Sequence, residues 1–203
     1  MTPMESPYEN LIPMANCYSV MTHRKSNDLG PIAATANIVR MQQVHGAKST
    51  CVTGPCDTPL VETDAIFTAE KNLVLAVKTA DCLPILIYHP YPFVAAIHAG
   101  RVGTQQAILQ KTLMHMSDQF GVTADFTLWF GPHICKSCYQ IDPALDVHFD
   151  LMAENVAQMT SLPLSISRIL KSPFCTVCHN DLFFSYRKEK TTERNECYIG
   201  LGC

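Results

Sequence analysis

The chain has 203 residues, of which 47% are hydrophobic and 16% are charged, and its formal net charge is −3. These values are typical of one compact globular domain and exclude an intrinsically disordered chain. The lack of a basic excess argues against nucleic acid and anionic membranes as partners.

Predicted elements become regular only after an N-terminal segment, residues 1–37, for which we expect irregular structure. Short and nearly continuous apolar runs then predict strands covered on both faces, at Leu73–Thr79, Pro84–Tyr88, Phe93–His98 and Phe126–Phe130. Between the third and fourth of these runs, spacings of four, three and four predict a helix that Gly121 ends. The buried stripe of this helix would consist of Leu109, Leu113, Met116 and Phe120.

A second helix is predicted to begin after Asp142, which would be its N-cap, with Pro143 at the first helical position. Its buried stripe would consist of Leu145, Phe149, Met152, Val156 and Met159. The segments LFFSYR and CYIGL predict two more strands near the C-terminus. Because strands and helices do not alternate regularly, we expect a mixed sheet with helices packed outside it.

Three potential metal ligands stand at the ends of apolar segments: His45 in QQVHGA, Cys82 in TADCLP and His98 in AAIHAG. Two imidazoles and a thiolate, with a fourth position open to water, would form a catalytic zinc site. Alternatively, Cys82 and His98 could act without metal as a nucleophile and its base. A structural role is also open, because cysteine is commonly buried as a small hydrophobic residue.

Other polar residues near these segments are candidates for the same site. Asp81 could orient a ligand histidine or carry protons, or it could cap the turn between two strands. Arg101 lies in a glycine-containing turn before a predicted helix, where backbone amides and this charge could bind phosphate. Arg187, in FFSYRK, is a second candidate anion-binding residue, although it could equally be a solvated charge.

Ten cysteines are present, and without a visible export signal we expect them to be reduced thiols. Cys135 and Cys138 form one C-x-x-C pair, and Cys175 and Cys178 form another. Two such pairs could hold a structural zinc ion. The gap between them exceeds the roughly 15–20 residues of the usual ribbon spacing, so we expect these thiols to line a core or a pocket instead.

From about Met41 to Leu201 the chain resembles the YfiH-like, laccase-domain family. The resemblance rests on six segments in the family's order, QQVHGA, ETDAIFT, LAVKTADCLPILIY, AAIHAGRVGT, GPHICKSCYQI and LFFSYRKE. It implies one domain over residues 1–203, with a shortened N-terminal segment at 1–37. The implied fold is α+β, with mixed β-sheets sandwiched between outer helices. The family's metal ligands fall on His45, Cys82 and His98.

The resemblance further implies a zinc enzyme that acts on purine nucleosides. The expected reaction is phosphorolysis of adenosine, inosine or methylthioadenosine, or deamination of adenosine. We expect Asp81, Cys82 and His98 to be catalytic and assign phosphate binding to Arg101 and Arg187. The expected protein is a cytoplasmic monomer that binds neither nucleic acid nor membranes.

Three alternatives to this function remain open. A copper-dependent polyphenol oxidase needs a blue-copper centre and many further histidines, and eight histidines without an H-x-H pair do not readily supply them. A Cys-His hydrolase would use Cys82 and His98 alone. A non-catalytic member is the third alternative, because the family commonly has HAGWRG where this chain has HAGRVG at His98–Gly103. The aromatic residue is absent there, and the arginine is lost or displaced by one position.

Overall fold

The computed structural model describes residues 11–14, 16–26, 29 and 37–202. The strands in this part of the chain are β1 (Cys17–Thr22), β2 (Asn37–Val39), β3 (Ser49–Cys51), β4 (Ala65–Thr68), β5 (Leu73–Thr79), β6 (Leu83–His89), β7 (Phe93–Ala99), β8 (Phe126–Phe130), β9 (Gln140–Asp142), β10 (Val147–His148), β11 (Ile166–Lys171) and β12 (Asn195–Leu201). The helices are α1 (Arg101–Gln105), α2 (Ile108–Phe120), α3 (Leu151–Met159) and α4 (Tyr186–Glu189).

The strands form two main sheets and one small hairpin. One sheet has four strands in the order β1-β12-β5-β2, and the other has six in the order β11-β8-β6-β7-β4-β3. Both sheets are mixed, since parallel pairs such as β8 with β11 occur beside antiparallel pairs such as β6 with β7. The predicted α+β class with mixed sheets is confirmed. Among the described residues, no helix combines the length and the apolar character that a membrane span requires.

The six-stranded sheet is covered on both faces, which explains its nearly continuous apolar strands. Alternate residues of β6 point to opposite faces. Ile85 and Ile87 pack in the cluster that includes Leu109 and Leu113 of α2. Leu86, by contrast, packs in the cluster shared with the four-stranded sheet. This central sheet therefore provides a rigid frame between the helices and the second sheet.

Several predicted elements are confirmed. The strands predicted at 73–79, 84–88, 93–98 and 126–130 agree with β5 to β8 to within one residue at each end. The helix predicted after β7 is present, and it ends at Gly121 in the left-handed conformation, with a φ of 68°. The segment CYIGL lies in β12. These segments are determined mainly by their own apolar patterns.

Three expectations were wrong in detail. The N-terminal segment 1–37 lies largely outside the described residues, but its described part contains the regular strand β1. The second helix does not begin at Asp142, because the Asp142 carboxylate accepts backbone N–H groups in the turn between β9 and β10. Asp150 caps that helix instead, by accepting the N–H of Ala153. The segment LFFSYR is not a strand, since Ser185 caps the short helix α4 there.

Each predicted helical stripe contains a leucine, Leu109 in the first and Leu145 in the second, and the two leucines differ in burial. This difference allows a direct test of stability. Leu109 is fully buried, whereas Leu145 has 75% of its surface exposed. Leu109→Ala should lower the free energy of unfolding by about 2–5 kcal/mol, because it removes packed methyl groups from the core. Leu145→Ala, the matched control, should change it by less than about 0.5 kcal/mol. Urea unfolding measures both, and equal losses would contradict the assigned positions.

Candidate metal centre

The residues of the candidate site meet where strands of the six-stranded sheet begin and end, at one end of the sheet. Strands β4 and β6 both begin at the edge where their antiparallel neighbour β7 ends. The residues just before β4 and β6 therefore lie beside the end of β7. Asp64 directly precedes β4, Cys82 directly precedes β6, and His98 is the next-to-last residue of β7. His45 reaches them from the connection between β2 and β3.

His45, Cys82 and His98 form a compact donor set, as their sequence pattern suggested. Their donor atoms lie within 4.8 Å of one another, and the two imidazole rings meet edge to face with centroids 4.8 Å apart. Gly100 makes this approach possible, since a Cβ there would lie 2.9 Å from the His45 ring. His98 is buried and His45 is exposed, so the set is open on one side. Two nitrogens and one sulfur are donors that zinc prefers.

The carboxylate of Asp64 holds both histidines in place. The Nδ1–H of His98 donates to Oδ1 of Asp64 at 2.8 Å, which leaves Nε2 of His98 available as a ligand. The backbone N–H groups of Val44, His45 and Gly46 donate to the same carboxylate at 3.1, 3.0 and 2.9 Å. His45 has a positive φ of 62°, and backbone turned in this way can form a concave anion-binding nest.

Asp64 was not identified from the sequence. The signal was present in the segment ETDAIFT, where an acidic residue directly precedes an apolar strand. Asp81 stands in the same kind of position before β6, and was selected because it adjoins Cys82. Distinguishing the two requires the strand register, which places Asp64 and not Asp81 against the His98 ring.

The buried charges of the site stabilise one another. Burial favours the neutral thiol of Cys82, but His98 and His45 outweigh this effect and lower its pKa to about 6. Burial likewise disfavours the imidazolium form of His98, yet Cys82 and Asp64 raise its pKa to about 9. Burial of Asp64 is outweighed by His98 and the backbone amides, which hold the carboxyl pKa below its usual value. These charges favour the thiolate form of Cys82, which is the form of cysteine that binds metals and acts as a nucleophile.

Asp81 connects three segments of the site wall. Its Oδ1 accepts the Thr176 hydroxyl at 2.7 Å, and its Oδ2 accepts the backbone N–H of Arg187 at 2.6 Å. Its backbone carbonyl accepts the N–H of Ile134 at 2.9 Å. Asp81 therefore positions the segments around the β5–β6 turn, whereas the acceptor for the ligand histidine is Asp64.

A cavity of about 710 Å³ opens over Cys82 and His98, a size typical of small-ligand sites. Asp81 is the only acidic side chain among the described residues that line it. The guanidinium of Arg187 lies 5.5 Å from the ring centroid of Tyr139, and Arg101 lies beside the hydroxyl of that tyrosine. Five cationic side chains line the cavity, namely Lys78, Arg101, Arg187, Lys190 and Arg194. Their combined charge suits an anionic ligand.

The sequence selected Arg101 and Arg187 as anion-binding candidates, and both lie in this cavity. It did not select Lys78, Lys190 or Arg194 for this role. Lys190 and Arg194 follow Arg187 in a stretch rich in charge, where no local pattern distinguishes a cavity-lining side chain from a solvated one. Only the position of α4 beside the β5–β6 turn places them at the site.

The chain is similar to known proteins over most of its length. The family model described as multi-copper polyphenol oxidoreductase laccase matches residues 18–149 and 144–202. A purine nucleoside phosphorylase of Streptomyces coelicolor is 34% identical, over 82% of this chain and 76% of its own length. The purine nucleoside phosphorylase YfiH of Shigella flexneri is 29% identical, over 96% and 88% respectively.

A solved structure shares the fold. The crystal structure of YlmD from Geobacillus stearothermophilus matches with a TM-score of 0.83 and 24% identity, over 95% of this chain and 94% of its own. The family model covers nearly the whole described chain, and its match includes all three residues of the donor set. The chain therefore belongs to the laccase-domain family of YfiH-like proteins.

Proposed function

We propose that this protein is a zinc-dependent purine nucleoside phosphorylase. The observation that carries the proposal is the position of the His45, Cys82 and His98 donor set in a cavity lined by five cationic side chains. One cavity could thus hold a metal ion and bind a phosphate dianion. Two relatives that cover most of this chain bear the name purine nucleoside phosphorylase, which supports the same reaction.

The donor set supports zinc rather than a copper cluster. Zinc binds nitrogen and sulfur in tetrahedral geometry, and three protein ligands with one open position are typical of its catalytic sites. When bound in such a site, zinc supplies a Lewis acid and lowers the pKa of a water molecule. In the described part of the chain only one potential metal-binding group contains histidine, and it contains two. A multicopper centre needs more imidazoles than this.

In the proposed reaction, Arg101 and Arg187 bind the phosphate through charge-assisted hydrogen bonds. A phosphate oxygen forms a bond to C1′ of the ribose while the bond from C1′ to the base nitrogen breaks. The electron pair of the broken bond leaves with the base, which takes up a proton. The proton released by monohydrogen phosphate balances it, and the products are the free base and ribose 1-phosphate.

The other residues act by positioning. Asp81 was expected to be catalytic, and in this proposal it orients Arg187 by accepting its backbone N–H. Asp64 keeps Nδ1 of His98 occupied and fixes the backbone of His45. Tyr139 contacts both arginines, with its ring beside Arg187 and its hydroxyl beside Arg101.

Deamination of adenosine is a second candidate activity, favoured by the open side of the donor set at exposed His45. In that reaction water replaces the amino group of the purine, and inosine and ammonia are the products. It needs no phosphate, so the two activities separate in one assay. The arrangement of Asp64, His98 and Cys82 also suits a cysteine hydrolase, in which the metal would be dispensable.

Chromatography of the products tests the proposal directly. Adenosine, inosine and methylthioadenosine are each incubated with the zinc-loaded protein, with and without phosphate. We expect free adenine or hypoxanthine only when phosphate is present. His45→Ala and Cys82→Ala should reduce base release to background, because each removes a ligand, whereas Cys56→Ala, a half-buried cysteine outside both ligand groups, should not.

Each alternative gives a different result in this assay. Inosine formed from adenosine without phosphate would indicate the deaminase. Activity that survives a chelator and the His45→Ala change would indicate the cysteine hydrolase. A fully metallated protein that consumes none of the three nucleosides would refute the proposed function and indicate a non-catalytic member.

Arg187→Ala tests the phosphate site. Loss of a charge-assisted hydrogen bond should raise the KM for phosphate by about 10- to 100-fold, with a smaller effect on the KM for nucleoside. The backbone N–H that binds Asp81 is retained in this variant. Arg168→Ala, at an exposed position of β11, is the matched control and should leave both constants unchanged. An unchanged phosphate KM in Arg187→Ala would remove this residue from the phosphate site.

Asp64→Asn tests the support of the metal ligands. The amide cannot accept all four hydrogen bonds that the carboxylate accepts, so the affinity of the site for zinc should fall by about 10- to 100-fold. The measurement is base-release activity at a series of buffered free zinc concentrations, with circular dichroism to verify folding. Asp57→Asn, in an exposed loop, should have no effect. A half-saturating zinc concentration equal to that of the wild type would contradict the role given to Asp64.

A further inference from the structure

The two C-x-x-C pairs converge into one cluster away from the cavity. The sulfurs of Cys135, Cys138, Cys175 and Cys178 all lie within 4.8 Å of one another. Those of Cys138 and Cys178 are 3.6 Å apart. In a tetrahedral site with Zn–S bonds of about 2.3 Å, neighbouring sulfurs are about 3.8 Å apart. The four thiols are thus already close to the spacing that a bound zinc ion requires.

The expectation that these thiols line a core or a pocket describes only part of the cluster, since Cys138 packs against the core beneath the large sheet and Cys175 is buried. None of the four lines the cavity over the metal centre. Cys175 is buried, but Cys178 is exposed and Cys135 and Cys138 are half-buried. An apolar role does not explain why four thiols from two distant segments meet near the surface.

The sheet topology explains the long gap between the pairs. Cys135 follows the end of β8, and Cys175 follows the end of β11. These two strands are parallel neighbours, so the segments that leave them run side by side. A parallel pair needs a long crossover connection, which here contains α3. The usual zinc-ribbon spacing describes C-x-x-C pairs that are close in sequence, so it does not apply to pairs joined by such a crossover.

Backbone contacts hold the two pairs in register. His133 and Cys175 form a parallel bridge, and the N–H of Thr176 donates to the carbonyl of His133 at 3.1 Å. The N–H of Cys135 donates to the sulfur of Cys175 at 3.3 Å. The N–H groups of Val177 and Cys178 also lie beside that sulfur. Amide groups from both pairs are therefore directed at one sulfur.

We propose that these four cysteines bind one structural zinc ion, distinct from the metal centre at His45, Cys82 and His98. Four thiolates fill the tetrahedral coordination sphere and leave no open position, which is the arrangement of structural rather than catalytic zinc. This proposal does not depend on the proposed function.

The zinc would clamp together two segments that support the cavity wall. Ile134 precedes the first pair, and its N–H donates to the carbonyl of Asp81. Thr176 lies within the second pair, and its hydroxyl donates to the Asp81 carboxylate. Tyr139, which follows Cys138, lines the cavity. A single ion would therefore fix two of the three hydrogen-bond partners of Asp81 and one wall of the cavity.

The Cys82→Ala variant isolates the proposed site, because it lacks a ligand of the other centre. Purified under reducing conditions with zinc, it should retain about one zinc per chain by mass spectrometry. With cobalt in place of zinc, it should show the intense thiolate-to-metal absorption of a tetrathiolate complex. A chelator should lower its thermal midpoint, since the ion binds the folded state.

Further variants and controls complete the test. In the wild-type background, Cys135→Ser with Cys178→Ser should lose one equivalent of zinc, and Cys56→Ser should lose none. If the double variant does not fold, the measurements on Cys82→Ala still decide, since its four cluster thiols are intact. Cys82→Ala without bound zinc or cobalt would overturn the proposal. So would an intact mass showing these thiols paired as disulfides.

Discussion

The candidate metal centre depends on the hydrogen bonds that the buried carboxylate of Asp64 accepts. It accepts three successive backbone N–H groups around His45 and the Nδ1–H of His98, and its own backbone carbonyl accepts the N–H of His98 at 2.8 Å. A buried charge is costly unless it is fully hydrogen-bonded, and here four donors compensate for the lost water. One side chain therefore links a loop before β3 to the end of β7. Without this side chain, the two histidines would lose the shared hydrogen-bond acceptor that holds them in position relative to each other.

The six-stranded sheet brings the donor set and the four-cysteine cluster to the same end of its strands. Strands β4 and β6 begin there, and β7, β8 and β11 end there, because of their alternating directions. The metal centre uses β4, β6 and β7, whereas the four-cysteine cluster uses the segments after β8 and β11. Asp81 connects the two regions, since it precedes Cys82 and binds Thr176 of the cluster.

Charge is distributed unevenly over the molecule. The chain as a whole carries a formal charge of −3, yet five cationic side chains and one acidic one line the described part of the cavity. Lys78 is paired with Glu196 at 3.4 Å, and the remaining cationic side chains suit an anionic ligand. Arg101 stands at the first position of α1, in the turn where the chain departs from the family's usual HAGWRG. Arg101 lines the cavity and lies beside Tyr139.

The sequence by itself determined the strands β5 to β8 and the helix α2, and it marked His45, Cys82 and His98 as candidate ligands while a structural role stayed open. Strands buried on both faces are almost continuously apolar, and a ligand at the end of such a run is conspicuous. It could not place the helix near Asp142, because Asp142 and Asp150 are equally able to cap and only the β9–β10 turn assigns them. The role of Asp64 and the meeting of two C-x-x-C pairs were decided by tertiary structure alone. Their partners lie 34 and 40 residues away in the sequence. The register of the sheet brings these partners together, and no local sequence pattern encodes that register.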